Sequence, residues 1–215
     1  VRILIVRPAP GNAATAAAVS AMGHEPVVVP LFDVMSVAWE MPDPAGFDAV
    51  VMTSANAARH GGAGLRHLVG LPVYAVGEAT AAAARAAGFG DVRVGDGDVT
   101  ALGPHLSGRI LHLAGSDYRP IPTPADVTTV TVYTTQPLPA SDPMHADAAL
   151  VHSPRAGARL AEVVTDRAAL HLVAISNAAA QASGSGWASV HIADRPRENA
   201  MLECLRRLCE ASPQI

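Results

Sequence analysis

The stretch VVMTSANAAR at residues 50–59 returns in altered letters as LVHSPRAGAR at residues 150–159. Each is an apolar run, a serine, a few small residues and then an arginine-bearing helix. The echo keeps its spacing. Ser54 and Ser153 stand 99 residues apart, and so do Gly77 and Ser176 in the matching segments YAVGEATAAAARAAGFGDVRV and VAISNAAAQASGSGWASVHI. Earlier, VRILIVRP (1–8) is answered by GRILHLAG (108–115), with Arg2 and Arg109 separated by 107. Residues 1–107 and 108–215 therefore read as two copies of one βαβ–βαβαβα unit. A period this long means duplicated domains rather than a solenoid.

The strands of that unit are short continuous apolar runs: Ile3–Val6, Val27–Val29, Ala49–Met52, Val73–Val76, Val92–Val94, Ile110–Leu113, Thr129–Tyr133, Ala148–Val151, Leu172–Ile175 and Val190–Ile192. Helical Ala- and Arg-rich patterns separate most of them. Unbroken rather than alternating apolar strands imply parallel sheets covered on both faces, an α/β class. The composition agrees, because 50% hydrophobic residues with only 4% aromatics suits small-residue helices packed closely on strands. Two Pro-rich segments, 30–48 and 134–147, interrupt the copies at equivalent points. Both are long for connections inside a compact α/β unit and read as slack.

Several functions are excluded at this level. A formal charge of −4 gives no basis for nucleic-acid or anionic-membrane binding. All 15 basic residues are Arg, so no lysine is present to form a Schiff base. Cys204 and Cys209, five apart on an expected C-terminal helix, are too few for a disulfide framework and read as buried free thiols. No run reaches membrane-span length and the N-terminus has strand character, so a cytoplasmic protein is expected.

Ligands of parallel α/β units bind at the carboxyl ends of the strands, where the following helices begin. Four turns qualify: Thr53–Asn56, Gly77–Thr80, Ser153–Arg155 and Ser176–Ala178. Their small residues leave first-turn N–H groups accessible, and helix N-termini attract carboxylates. Pro154 suits the first helical position with Ser153 as cap, although such caps bind nothing in most proteins. VRVGDGDVT (92–100) resembles a dinucleotide loop only loosely: Thr100 stands where the third glycine belongs, and a turn with Asp98 as helix cap is the better reading. No Gly-x-Ser-x-Gly elbow surrounds Ser54 or Ser153. Nine histidines show no metal-ligand spacing; His60 and His67 are expected to be exposed, and only His152 stands beside a strand end of interest.

ILIVRPAPGN, FDAVVMTSANAARH, LPVYAVGEATAAAARAAGF, RILHLAG, VTVYTTQPL and ALVHSPRAGARL, in that order, resemble the uroporphyrinogen-III synthase family over nearly the whole chain. The resemblance implies two flavodoxin-like parallel-sheet domains joined by a two-stranded β-ladder in a segment-exchanged tandem duplication. Domain one would be 1–34 with 142–215, domain two 44–128, and 35–43 and 129–141 the linkers or ladder. It implies an inter-domain cleft that needs no cofactor or metal. The substrate would be hydroxymethylbilane, a linear polycarboxylate that loses water and closes with its terminal ring inverted. A monomer and transient contact with the upstream hydroxymethylbilane synthase are further expectations. Tyr133 matches the family's tyrosine and would assist the leaving hydroxyl, by orientation more than by obligate proton transfer since phenols are weak acids. Substrate contacts would come from Arg7, Thr53, Ser54, Asn56, Gly77, Glu78, Thr80, Ser153, Arg155, Ser176 and Asn177. Two departures bear on these roles: Ala179 stands at the duplicate of Thr80, and Val6 replaces the polar residue often found before Arg-Pro. The competing reading is a two-domain sensor that closes on a small anion without chemistry.

Overall fold

The computed structural model describes residues 1–97, 99–139 and 146–211; Asp98, the expected helix cap, lies outside them. In chain order the elements are β1 (Arg2–Ile5), α1 (Gly11–Ala21), β2 (Glu25–Val28), β3 (Phe32–Ser36), β4 (Ala49–Met52), α2 (Ala55–His60), β5 (Val73–Ala75), α3 (Glu78–Ala86), β6 (Val92–Val94), α4 (Val99–Leu102), β7 (Arg109–Gly115), β8 (Asp126–Pro137), β9 (Ala148–Val151), α5 (Pro154–Val163), β10 (His171–Ala174), α6 (Asn177–Ala182), β11 (Ser189–Ile192) and α7 (Glu198–Ala211). Val1–Asp33 with Pro137–Ile215 form one compact unit, and Val34–Gln136 the other.

The first unit holds a five-stranded sheet ordered β2-β1-β9-β10-β11, paired in parallel throughout. In sequence order this is the 2-1-3-4-5 arrangement of flavodoxin-like sheets. The second unit's sheet runs β3-β8-β7-β4-β5-β6. With β7 and β8 taken as first and second strands, its β8-β7-β4-β5-β6 portion has the same order, and these strands are parallel. The register repeats as well. Ile3 faces Ala148 in one sheet, and their counterparts Ile110 and Ala49 face each other in the other.

Continuous apolar strands are explained by cores on both sheet faces. In β1 and the residue after it, Leu4 and Val6 join one cluster with Leu160 of α5 and Ala179 of α6, while Ile3 and Ile5 join another with Val19 of α1 and Leu205 of α7. Alternate residues point to opposite faces, so both sets must be apolar. In β4, Val50 and Met52 pack toward Ala57 and Ala84, while Val51 packs toward Leu102 and Leu106. Cys204 is buried and Cys209 half-buried, both as free thiols on α7.

Segment 30–48 departs from the expected slack, because Phe32–Ser36 forms a strand at the edge of the six-stranded sheet. Only Phe32 in it is buried, so it lacks the apolar run that marks interior strands. β8 likewise extends well past the expected Thr129–Tyr133, over Asp126–Pro137.

Candidate active site

At the carboxyl end of β1 the chain turns through Val6-Arg7-Pro8 into α1. Nη1 of Arg7 donates to Oε2 of Glu198 at 2.7 Å and to Oγ1 of Thr15 at 3.2 Å. Thr15 donates to the other carboxylate oxygen at 2.6 Å, and Nε2 of His152, beyond β9, lies 3.0 Å from Oε2. One carboxylate at the start of α7 thus ties together β1, α1 and the loop after β9. Burial acts to raise the Glu198 pKa, but hydrogen bonds with His152 and Thr15 and the charges of His152 and Arg7 overcome it, holding the carboxyl at about 2. The guanidinium lies against Gly11, where a Cβ would sit 2.6 Å from both Nε and Nη2. Only glycine permits that approach. Nδ1 of His152 is buried with no hydrogen-bond partner among the described residues.

The corresponding edge of the second unit carries neutral groups. Thr53 follows β4, and its Oγ1 lies 3.2 Å from Nε2 of His112 on β7. Thr129 of β8 lies 3.4 Å from Nδ1 of the same ring, and Tyr118 meets it edge-on at a centroid distance of 5.6 Å. His112 is 1% exposed, and burial lowers its pKa to about 4, so the ring is neutral near pH 7. Tyr133 is placed by a β-bulge: Ala114 faces Thr131 but Gly115 faces Tyr133, so Val132 is the extra residue. Its ring occupies the space a Gly115 Cβ would need, with Cζ 2.5 Å and the hydroxyl oxygen 2.9 Å from that position. The His60 ring stands 6.3 Å away, and Ser116 and Thr134 hydroxyls meet at 3.0 Å beside it.

The four turns differ in how many donors they offer. Ser54 accepts from the amide of Asn56, Ser153 from Ala156 and Ser176 from Ala179, so each cap consumes one first-turn N–H. Pro154 has none to give. Gly77 makes no side-chain cap, and among the described residues the amides of Glu78 and Ala79 have no partner, which leaves this turn more open. Glu78 itself pairs with Arg85 at 2.9 Å. Thr80 is buried at 4% exposure in the first turn of α3. Arg155 stacks over the Phe32 ring at 4.8 Å. Asn56 is half-buried in the first turn of α2, and Asn177 is exposed in the first turn of α6.

Sequence reasoning singled out neither Glu198 nor His112. Glu198 lies 191 positions from Arg7, so only folding reveals their contact. His112 sits inside an apolar strand that reads as core. A cavity of about 410 Å³ lined by Tyr74, Arg93, Gly95, Asp96 and His105 shares no residue with the candidate set. Among the described residues no group of three or more His, Cys, Asp or Glu converges on a metal position, and no helix is long and apolar enough to cross a membrane.

No curated protein matches the chain. A uroporphyrinogen-III synthetase from Helicobacter pylori is similar in structure, with a TM-score of 0.67 at 18% identity, 96% of this chain and 99% of that one being covered. A mutant uroporphyrinogen III synthase from Thermus thermophilus gives a TM-score of 0.57 at 20% identity, covering 98% of this chain and 99% of that one. At these identities the likeness establishes the two-domain α/β fold. The family model described as uroporphyrinogen-III synthase HemD matches residues 13–203, a span that takes in strands of both sheets. The chain belongs to the uroporphyrinogen-III synthase family.

Proposed function

We propose that the chain converts hydroxymethylbilane to uroporphyrinogen III, a lyase reaction of tetrapyrrole biosynthesis. The observation that carries this reading is the family match across residues 13–203. The reaction breaks the C–O bond, releasing the hydroxyl as water, and, to invert the terminal ring, also breaks the C–C bond joining that ring to its neighbouring bridge. Two C–C bonds form in exchange, joining the two bridging carbons to the ring's α-positions in swapped order, and the ring's α-hydrogen leaves as a proton. Closure without inversion is spontaneous, so the enzyme's task is to hold the rarer folded conformer. That favours oriented donors over a nucleophile.

The arrangement supports the reading from both units. Arg7 and the amides after Gly77 and Ser176 are donors suited to carboxylates. Tyr133 carries a hydroxyl at a half-buried position, held by packing on Gly115, and is assigned the departing hydroxyl. Thr53, Ser54, Asn56, Ser153, Arg155 and Asn177 complete the proposed contacts. The reading extends to a cytoplasmic monomer that receives its substrate from the upstream hydroxymethylbilane synthase.

Incubation with freshly generated hydroxymethylbilane, oxidation and chromatographic separation of the isomers tests the proposal. Isomer III in excess of the enzyme-free blank is expected. Isomer I alone overturns it and returns the non-catalytic sensor to consideration.

A further inference from the structure

Glu198 engages three partners from three other parts of the chain through its carboxylate. Oε1 takes the Thr15 hydroxyl, and Oε2 is shared by Arg7 Nη1 and His152 Nε2. Thr15 is fully buried and the His152 side chain is 8% exposed, so the grip is set in packed surroundings. Arg7 differs from them: its side chain is 31% exposed, and among the described residues only Nη1 is engaged. Nε and Nη2 keep their hydrogens, and the guanidinium face rests on Gly11. A flexible arginine, part-exposed as a side chain, has been turned into an oriented donor with N–H groups unspent among the described residues.

We propose that Glu198 is a positioning residue for substrate binding, acting through Arg7: it fixes the guanidinium at the carboxyl end of β1 so that Nε and Nη2 receive a substrate carboxylate. The inference rests on the function proposed above. An unpinned arginine would lose rotamer freedom on each binding event, and pinning spends that entropy at folding instead. The benefit applies equally to bound substrate and transition state, so it belongs in KM rather than kcat.

The test is steady-state kinetics of isomer III formation for wild type, Glu198→Gln, Arg7→Ala and the double variant, with thermal unfolding of each. Glu198→Gln keeps the shape and removes the charge. It should raise KM about tenfold, the worth of one charge-assisted contact, with kcat retained. On the Arg7→Ala background the same change should add nothing to KM. A residue that merely holds the fold would lower the unfolding temperature and the active fraction while leaving KM alone. An unchanged KM, or a rise as large without Arg7 as with it, overturns the inference. If Glu198→Gln does not fold, Thr15→Val removes the hydroxyl that donates to Oε1 and accepts from Arg7 Nη1, loosening the same grip on the guanidinium; it should raise KM less, and no rise overturns the inference. Wild type giving isomer I alone sinks the function and this inference together, whereas wild type giving isomer III with an unmoved KM in the variants sinks this inference only.

Discussion

The two units share strand order and register, yet their strand ends carry different chemistry. In Val1–Asp33 with Pro137–Ile215, the edge is ionic: Arg7, Glu198 and His152 within hydrogen-bonding reach. In Val34–Gln136 it is neutral: Thr53, His112 and Thr129, with Tyr133 nearby on β8. Duplication preserved the frame because the frame is set by apolar alternation, while the residues just beyond the strands were free to diverge. The ionic edge suits binding of carboxylates. The neutral edge suits handling of a hydroxyl, where a strong charge would favour one ionisation state over another.

Acid should separate the units most sharply. The folded-state pKa of His112, about 4, lies below the ordinary imidazole value of 6.5, so below 6.5 the unfolded chain binds the extra proton. The second unit should lose stability as pH falls from 6.5 to 4, by up to about 3 kcal/mol. Glu198 acts later: its contribution is intact above 4.5 and vanishes as pH falls toward 2, and because the side chain is partly exposed it is worth only about 1 kcal/mol. The chain has two tryptophans, Trp39 in the second unit and Trp187 in the first. Fluorescence of Trp187→Phe and Trp39→Phe variants during acid titration reads each unit alone. Coincident transitions would refute the assignment of separate acid windows.

Tyr133→Phe comes next. It should lower kcat by about a hundredfold, the low end for acid assistance, with KM and unfolding temperature little changed. The same assay on Arg7→Ala should move KM instead, so the pair assigns binding to one edge and turnover to the other. A Tyr133→Phe enzyme with wild-type kcat removes the phenol from the chemistry.

A subtler probe uses the glycine on which each edge rests a side chain. Gly11→Ala would drive a methyl into the Arg7 guanidinium, and Gly115→Ala into the Tyr133 ring. Each should cost about 2 kcal/mol, as overpacking does. Gly11→Ala should raise KM and Gly115→Ala should lower kcat. The reverse pattern would mean the two side chains have been given each other's roles.

Sequence patterning captured the interior strands because burial on both faces leaves no other composition. Ala49–Met52 and Ala148–Val151 fall where the apolar runs place them. β3 escaped because an edge strand with one buried residue, Phe32, carries no such run. Ser54, Ser153 and Ser176 were readable as caps, since capping is a local contact two or three residues long. Glu198 was not, because its partners lie 46 to 191 residues away and nothing nearby in the chain specifies them.

The smallest expected effect tests the doubled serine itself. Ser54 and Ser153 occupy equivalent places, and both hydroxyls accept from their own helices, at the amides of Asn56 and Ala156. Replacing either with alanine should cost about 1 kcal/mol of stability, read in urea unfolding by the tryptophan of the same unit. Ser153→Ala should be the milder of the two, because Pro154 already fixes the backbone where α5 begins, whereas α2 has six residues and no proline in its first turn. Rates at saturating substrate should stay within about twofold, since a cap's loss destabilises N without altering a contact made only in the transition state. A serine whose removal slows turnover more than it weakens the fold would be making a contact that strengthens in the transition state, beyond the ground-state binding assigned to its turn, and its unit's edge would then contribute a hydroxyl as well as amides to the reaction.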